Sequence, residues 1–285
     1  MSKLKIAVQK SGRLSEKSLD LLKNCGIKLQ NGGRILKAST SNFPIEVLFL
    51  RDDDIPQYVE QGIADIGILG QNEVWEKQKR VNELKPLGFA GCRLSIAIPK
   101  GNAYTGISSF EGKRIATSYP NILSNYFQKA GVNVAIEEIG GSVEIAPGIG
   151  LADGIMDIVS TGSTLLMNGL KEVETIAKSE AVLISNQALS PKKTALLDQL
   201  LFRINAVQQS KENKYILLNA PNTQLATITK ILPGMKSPTV LPLAEKGWSS
   251  LHSVIREDDF WNSIDQLKTA GAEGILVVPV EKMIL

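Results

Sequence analysis

At 285 residues the chain is long enough for two domains, or three if some are small, taking roughly 150 residues per domain. Hydrophobic residues make up 43% and charged residues 21%, which excludes extended disorder and collagen-like repeats. The net charge of +3, from 32 Lys and Arg against 29 Asp and Glu, excludes a protein that coats a polyanion. No nucleic-acid partner is expected, and phosphate binding has to be local. Cys25 and Cys92 share no motif and His252 is the only histidine, which leaves no disulfide scaffold, no Cys/His zinc site and no usable Ser/His/Asp triad. His252 reads as a strand residue. The first apolar stretch is too short for a signal peptide and no apolar run nears the ~20 residues of a membrane span. The chain therefore reads as cytoplasmic, with no membrane partner.

The predicted elements alternate from the start. Lys5–Val8 reads as a strand, and Leu19, Leu21 and Leu22 at helical spacing predict a helix over Glu16–Cys25, stopped by Gly26. A strand over Ile45–Leu50, a helix over Asp54–Gln61 ending at Gly62, and a strand over Ala64–Leu69 complete a βαβαβ run. That order signals an α/β layer with a mostly parallel sheet. The pattern then recurs. Gly62-Ile-Ala-Asp65-Ile66-Gly-Ile-Leu-Gly70 lines up with Gly154-Ile-Met-Asp157-Ile158-Val-Ser-Thr-Gly162, and Lys5-Ile6-Ala7 followed by Cys25-Gly26-Ile27 resembles Arg114-Ile115-Ala116 followed by Ala130-Gly131-Val132. The repeat implies two duplicated α/β lobes, unless two βα units match by chance. Arg93–Pro99 leads out of the first copy and Ala181–Ser185 leads back, followed by a helix over Thr194–Val207. The lobes are expected at 1–92, with 183–208 returning to it, and at 93–182. Such a twice-crossed pair, of the type II periplasmic-binding-protein kind, flanks a cleft lined by strand C-termini and helix N-termini.

The polar stretch Gln208–Lys214 breaks the pattern. Residues 211–285 then read as strand Tyr215–Asn219, helix Gln224–Leu232, strands Thr239–Leu243 and Ser249–Ile255, helix Phe260–Ala270 and strand Gly274–Pro279. The βαββαβ order is ferredoxin-like, common in small ligand-sensing domains.

Several loops suit phosphate chemistry. Ser160-Thr161-Gly162-Ser163-Thr164 follows an apolar strand, and with a helix starting near Leu165 its N–H groups and hydroxyls form a phosphate cradle; an ordinary Ser/Thr-capped helix is the alternative. Asp153 and Asp157 are spaced so that one or both reach the cleft, where acids suit ribose hydroxyls or magnesium, although Asp157 equally suits a structural cap. Lys10-Ser11-Gly12-Arg13 after the first strand forms a second anion-attracting loop or a solvated basic turn. Arg51 after the second strand is in reach of a phosphate, while Asp52, Asp53 and Asp54 read as a solvated helix start with Asp54 as a cap. Tyr119 ends a strand and stacks on a purine or simply packs; Glu144 faces a sugar hydroxyl or the solvent.

Five blocks in order resemble one family, the long form of ATP phosphoribosyltransferase. They are Gln9-Lys-Ser-Gly-Arg-Leu14, Arg51-Asp-Asp-Asp-Ile-Pro56, Gly112-Lys-Arg-Ile-Ala-Thr-Ser-Tyr-Pro120, Leu151-Ala-Asp-Gly-Ile-Met-Asp-Ile-Val-Ser-Thr-Gly-Ser-Thr164 and Ile275-Leu-Val-Val-Pro-Val-Glu-Lys-Met283. The resemblance implies transfer of phosphoribosyl from phosphoribosyl pyrophosphate to N1 of ATP, releasing pyrophosphate with Mg2+ present, as the first step of histidine biosynthesis. It implies that Asp153, Asp157 and Ser160–Thr164 cradle the donor's 5-phosphate ribose and that Glu144 holds a donor hydroxyl. It further implies that Lys10, Ser11, Gly12, Arg13 and Arg51 meet ATP phosphates, that Tyr119 packs on the base and that Asn72 occupies a polar ATP-side position. Gly148 stands where some relatives carry arginine. No side chain is assigned as acid or base, and magnesium rides mainly on substrate phosphates. The terminal unit resembles the family's regulatory domain, which binds histidine as an inhibitor, with Asn219, Thr239 and Gly274 near its ligand; family members form dimers and hexamers. The rival readings are a two-lobed sensor module without catalysis and a different phosphoribosyltransferase.

Overall fold

The computed structural model describes residues 3–30 and 36–285. They fall into two compact units, bounded as Met1–Lys23 with Ile27–Leu196 and as Asn24–Gly26 with Leu197–Leu285. The first unit begins with β1 (Leu4–Gln9), α1 (Arg13–Asn24), β2 (Lys37–Ser39), β3 (Ile45–Leu50), α2 (Ile55–Glu60), β4 (Ile66–Gly70), α3 (Gln71–Lys77) and β5 (Val81–Pro86). It continues with β6 (Cys92–Pro99), β7 (Arg114–Thr117), α4 (Pro120–Ala130), β8 (Ala135–Glu138), β9 (Gly154–Val159), α5 (Ser163–Met167), β10 (Leu170–Ser179) and β11 (Ala181–Asn186).

Two sheets form, in the orders β2-β3-β1-β4-β11-β5 and β10-β6-β9-β7-β8. In each, three parallel strands come first: β3-β1-β4 and β8-β7-β9. An antiparallel strand contributed by a crossover follows, β11 beside β4 and β6 beside β9, and an antiparallel edge strand closes each sheet. The lobes are thus duplicated strand for strand, apart from the short β2. Leu4, Ile6 and Val8 of β1 and Ile115 of β7 are fully buried, as expected of strands covered on both faces. Gly67 of β4 lets α2 approach closely, since a β-carbon there would lie 2.6 Å from Ile55 Cγ2.

The strand registers correct the alignment of the repeat. Asp65 Oδ2 accepts the Lys5 N–H at 2.8 Å, and Asp153 Oδ2 accepts the Arg114 N–H at 2.8 Å. Ile66 pairs with Ile6 and Gly154 with Ile115, so Asp153, and not Asp157, is the counterpart of Asp65. The Gly-Ile-Asp-Ile-Gly echo is therefore four residues out of register with the fold. Helix α1 starts at Arg13, three residues before the spacing predicts, because the buried face carries Ser15 and Ser18, which interrupt the apolar spacing between Leu14 and Leu21.

The second unit takes most of α6 (Pro191–Lys211), which runs through the first half of the polar stretch, followed by β12 (Asn213–Pro221), α7 (Leu225–Ile231), β13 (Thr239–Pro242), β14 (Trp248–Arg256), α8 (Glu257–Thr269) and β15 (Glu273–Pro279). Its antiparallel sheet has the ferredoxin-like order β13-β14-β12-β15. Ile216, Leu218 and Ala220 of β12 and Leu251 of β14 alternate onto the helix-covered face with Ile228 and Leu267. Among the described residues no helix is long and apolar enough to cross a membrane.

Candidate active site

Parallel strands deliver loops to their C-terminal ends, and both lobes use that end. In the first lobe the register Gln9 to Leu50 sets Lys10 beside Arg51. Lys10, Ser11, Gly12, Arg13 and Arg51 are all exposed there, with Gly12 at φ +91° turning the chain into α1. In the second lobe Tyr119 follows β7 and Ser160–Thr164 follow β9. Gly162 sits at φ +84°, Thr161 Oγ1 lies 3.0 Å from Ser163 Oγ, and the loop's hydroxyls are exposed. Helix α5 has only five residues, too short to lend the loop much dipole. What the loop offers an anion is therefore its own N–H groups and hydroxyls.

A guanidinium supports that loop from beneath. Arg93 lies opposite Val159 in the β6–β9 pairing, donates Nη1–H to the Ser160 carbonyl at 3.1 Å, and grips Glu172 with Nε and Nη2 at 2.6 Å each. Glu172 also accepts from Ser95 and Thr175, and the Arg93 hydrogen bonds hold its carboxyl down at about 2. From the sequence, Arg93 reads only as the start of a crossover. An arginine directly after Gly91-Cys92 at a strand end was the available signal.

Acids converge on Tyr119. Its hydroxyl faces Glu73, and burial, followed by the charges of Glu73, Asp157 and Asp52, pushes the phenol pKa up. Glu73, 5% exposed, is pushed up to about 7 by burial and by the charge of Asp52, with Lys77 acting the other way. Asp157 is raised by burial and by neighbouring Glu144, while the Ile158 N–H, 2.7 Å from its carboxylate, acts the other way. The structure thus brings Glu144, Asp157 and Tyr119 together, and adds Glu73, which a polar-looking helix concealed. Glu76 joins the lobes: its carboxylate accepts the Asn121 and Ile122 N–H groups at 3.0 Å each, capping α4 from α3.

Three expected site residues stand elsewhere. Asp153 precedes β9, roughly 23 Å of extended chain from Ser160, and is held by Arg114; it anchors the sheet in the way Asp65 does. Asn72 is 4% exposed and its amide is spent on Ser179 and Glu73, so it does not face the cleft. In the second unit Asn219 and Gly274 meet, a β-carbon on Gly274 (φ +57°) falling 3.3 Å from Asn219 Nδ2. Thr239 pairs with His252 two strands away from Asn219, roughly 10 Å across the sheet. Between them His252 bridges Tyr215 and Ser250 through its two ring nitrogens at 3.0 Å each. Asp54 occupies the N-cap position of α2 without a side-chain capping bond.

Fold and site define a class: a two-lobed α/β chain whose opposed loops are furnished for anions, joined to a ferredoxin-like domain. The family description "ATP phosphoribosyltransferase" matches residues 51–206, and its C-terminal domain matches residues 210–282. A relative from Cytophaga hutchinsonii named ATP phosphoribosyltransferase is 59% identical over 281 residues, 99% of this chain and 98% of its own. The ATP phosphoribosyl transferase (HisG:HisZ) complex from Thermotoga maritima superposes with a TM-score of 0.60 at 32% identity, over 70% of this chain and 98% of that one. A substrate-binding protein of an amino acid ABC transporter shares the fold at a TM-score of 0.50 and 13% identity, over 73% and 94%. The chain belongs to the ATP phosphoribosyltransferase family, in its long form.

Proposed function

We propose that the cleft transfers phosphoribosyl from phosphoribosyl pyrophosphate to N1 of the adenine of ATP, releasing pyrophosphate, as the first step of histidine biosynthesis in the cytoplasm. The observation that carries this reading is the full-length match to an ATP phosphoribosyltransferase at 59% identity. The lobes are taken as 1–92 with 183–208, and 93–182, with 211–285 regulatory.

Adenine N1 is a neutral lone pair near pH 7, so the nucleophile needs no strong base, and a cleft without histidine suffices. The barrier lies in separating an electron-poor ribosyl carbon from its leaving group, which calls for alignment and charge stabilisation. Ser160, Thr161, Gly162, Ser163 and Thr164 take the donor's 5-phosphate. Asp157 and Glu144 face the ribose, their negative charge favouring the developing ribosyl cation. Lys10, Ser11, Gly12, Arg13 and Arg51 take the phosphates of ATP, and Tyr119 packs against its base. Among the described residues no group of three metal-ligating side chains exists. Glu144 and Asp157, both on the second lobe, nevertheless repel each other, a pair that fits a Mg2+ carried chiefly by substrate phosphates. Bound Mg2+ supplies charge neutralisation to the departing pyrophosphate. Histidine acts as inhibitor at the C-terminal domain near Asn219 and Gly274, and the chain assembles into dimers and hexamers.

The test mixes the purified chain with ATP, phosphoribosyl pyrophosphate and Mg2+ under pyrophosphatase coupling. Phosphate release with formation of phosphoribosyl-ATP is expected. Binding of both substrates without turnover would instead favour the sensor reading.

A further inference from the structure

We propose that Arg93 is a positioning residue for the donor's 5-phosphate, with Glu172 as the clamp that fixes its guanidinium under the Ser160–Gly162 turn. The inference rests on the assignment of that loop to the donor phosphate and names what makes it a site.

Three observations support it. Arginine has five N–H donors. Three of those on Arg93 are spent, on both Glu172 oxygens and on the Ser160 carbonyl, leaving one hydrogen on each terminal nitrogen. Nη2 lies 3.9 Å from where a β-carbon on Gly162 would stand, so the guanidinium abuts the loop at Gly162 as well as at Ser160. The clamp itself is built with care. The β10–β6 pairing slips between Glu172 and Glu174, and Glu172 receives Ser95 Oγ–H at 2.7 Å in addition to the two guanidinium bonds. A planar fork held in this way cannot rotate away, which lowers the entropy lost when the loop closes on an anion.

The short α5 makes this support consequential. With only five residues behind it, the loop lacks the dipole that a long helix N-terminus lends to a phosphate. A fixed cation against the backbone supplies positive potential and holds the Ser160 carbonyl turned downward, away from an incoming phosphate. The same guanidinium and Ser160 border a cavity of about 580 Å³ that also meets Lys178, Glu180, Cys92 and Gln71, so the underside of the loop is open instead of packed.

Ribose 5-phosphate binding by calorimetry tests this apart from turnover, in the wild-type chain and in Arg93→Ala, Arg93→Lys and Glu172→Gln. Arg93→Ala is expected to weaken ribose 5-phosphate at least tenfold, with ATP affinity within twofold of wild type. Arg93→Lys, which keeps the charge and loses the fork, should recover only part of the loss. If a melting curve shows Arg93→Ala unfolded, Glu172→Gln decides: a loosened guanidinium should cost about threefold in ribose 5-phosphate affinity. Wild-type affinity in the folded Arg93→Ala, or unchanged or tighter binding in Glu172→Gln when that variant has to decide, overturns the assignment. If the wild-type chain binds no ribose 5-phosphate at all, the fault lies with the donor-loop assignment itself.

Discussion

Glu73 shows how a single carboxyl can tie the cleft to pH. Its neighbours are the Tyr119 hydroxyl, the Asn72 amide, Asp52 and Asp53 as like charges, and Lys77 as the one opposite charge. Burial outweighs the rest and lifts its pKa to about 7. Between the ordinary carboxylate range and pH 7 the folded chain holds a proton there that the unfolded chain has released, so stability falls as pH rises through this window. The lift from 4.5 to about 7 corresponds to about 3 kcal/mol. Glu73→Gln keeps an acceptor for Tyr119 and removes the proton linkage. Its stability relative to wild type, measured from urea midpoints, should rise by about 2 kcal/mol between pH 5 and pH 8. Asp157 is raised too, but it titrates in both proteins and cancels in the difference. Parallel pH profiles for the two proteins would end the idea.

At the scale of elements, the repeat assigns different tasks to carboxylates that the sequence motif had aligned. Asp65 and Asp153 each tie the start of a parallel strand to its neighbour, and Asp65 adds Lys193 Nζ at 2.6 Å within an almost fully buried site. Asp157 sits one lobe layer nearer the ligand end of β9. Asp153→Ala should therefore lower stability by about 1 kcal/mol, in line with the loss of one half-exposed bonded carboxylate, and leave the KM for phosphoribosyl pyrophosphate within twofold. Asp157→Ala should raise that KM, or lower kcat, at least tenfold. Steady-state kinetics beside melting curves separate the two, and equal kinetic losses would restore Asp153 to the cleft. The apolar runs of β1, β3, β4, β9 and β11 were legible because both faces of those strands are buried. Two edge strands were not. Val-Asn-Glu-Leu-Lys-Pro of β5 and Leu-Lys-Glu-Val-Glu-Thr-Ile-Ala-Lys-Ser of β10 carry charges, as exposed edges do, and show no apolar run. Helix α3 escaped for the opposite reason: Asn72, Glu73 and Glu76 look solvated but are buried, since their partners Ser179, Tyr119 and α4 come from distant parts of the chain. Arg93 and Glu172, 79 residues apart, could be joined only by the fold.

For the whole molecule, the proposed histidine site in the C-terminal domain has to act on the cleft through a change of state. Inhibition requires histidine to bind a less active state more tightly than the active one, and the coupling is reciprocal, so substrates that favour the active state must weaken histidine binding by the same factor. Gly274 offers a way to break the coupling at its source. Its φ of +57° and the 3.3 Å approach of Asn219 Nδ2 leave no easy place for a β-carbon, so Gly274→Ala displaces Asn219 and strains the β15 backbone. The strain should cost about 1 kcal/mol of stability, visible as a modest drop in melting temperature. The histidine concentration for half inhibition should rise at least tenfold, equivalent to about 1.4 kcal/mol of lost binding, while kcat without histidine stays within twofold. In the wild-type chain, calorimetric titration of histidine with and without saturating ATP should differ by the coupling factor, and in the variant the histidine signal should vanish from the accessible range. Unaltered half inhibition in a folded Gly274→Ala chain would remove Asn219 and Gly274 from the histidine site and turn attention to the Tyr215, His252 and Ser250 chain beside Thr239.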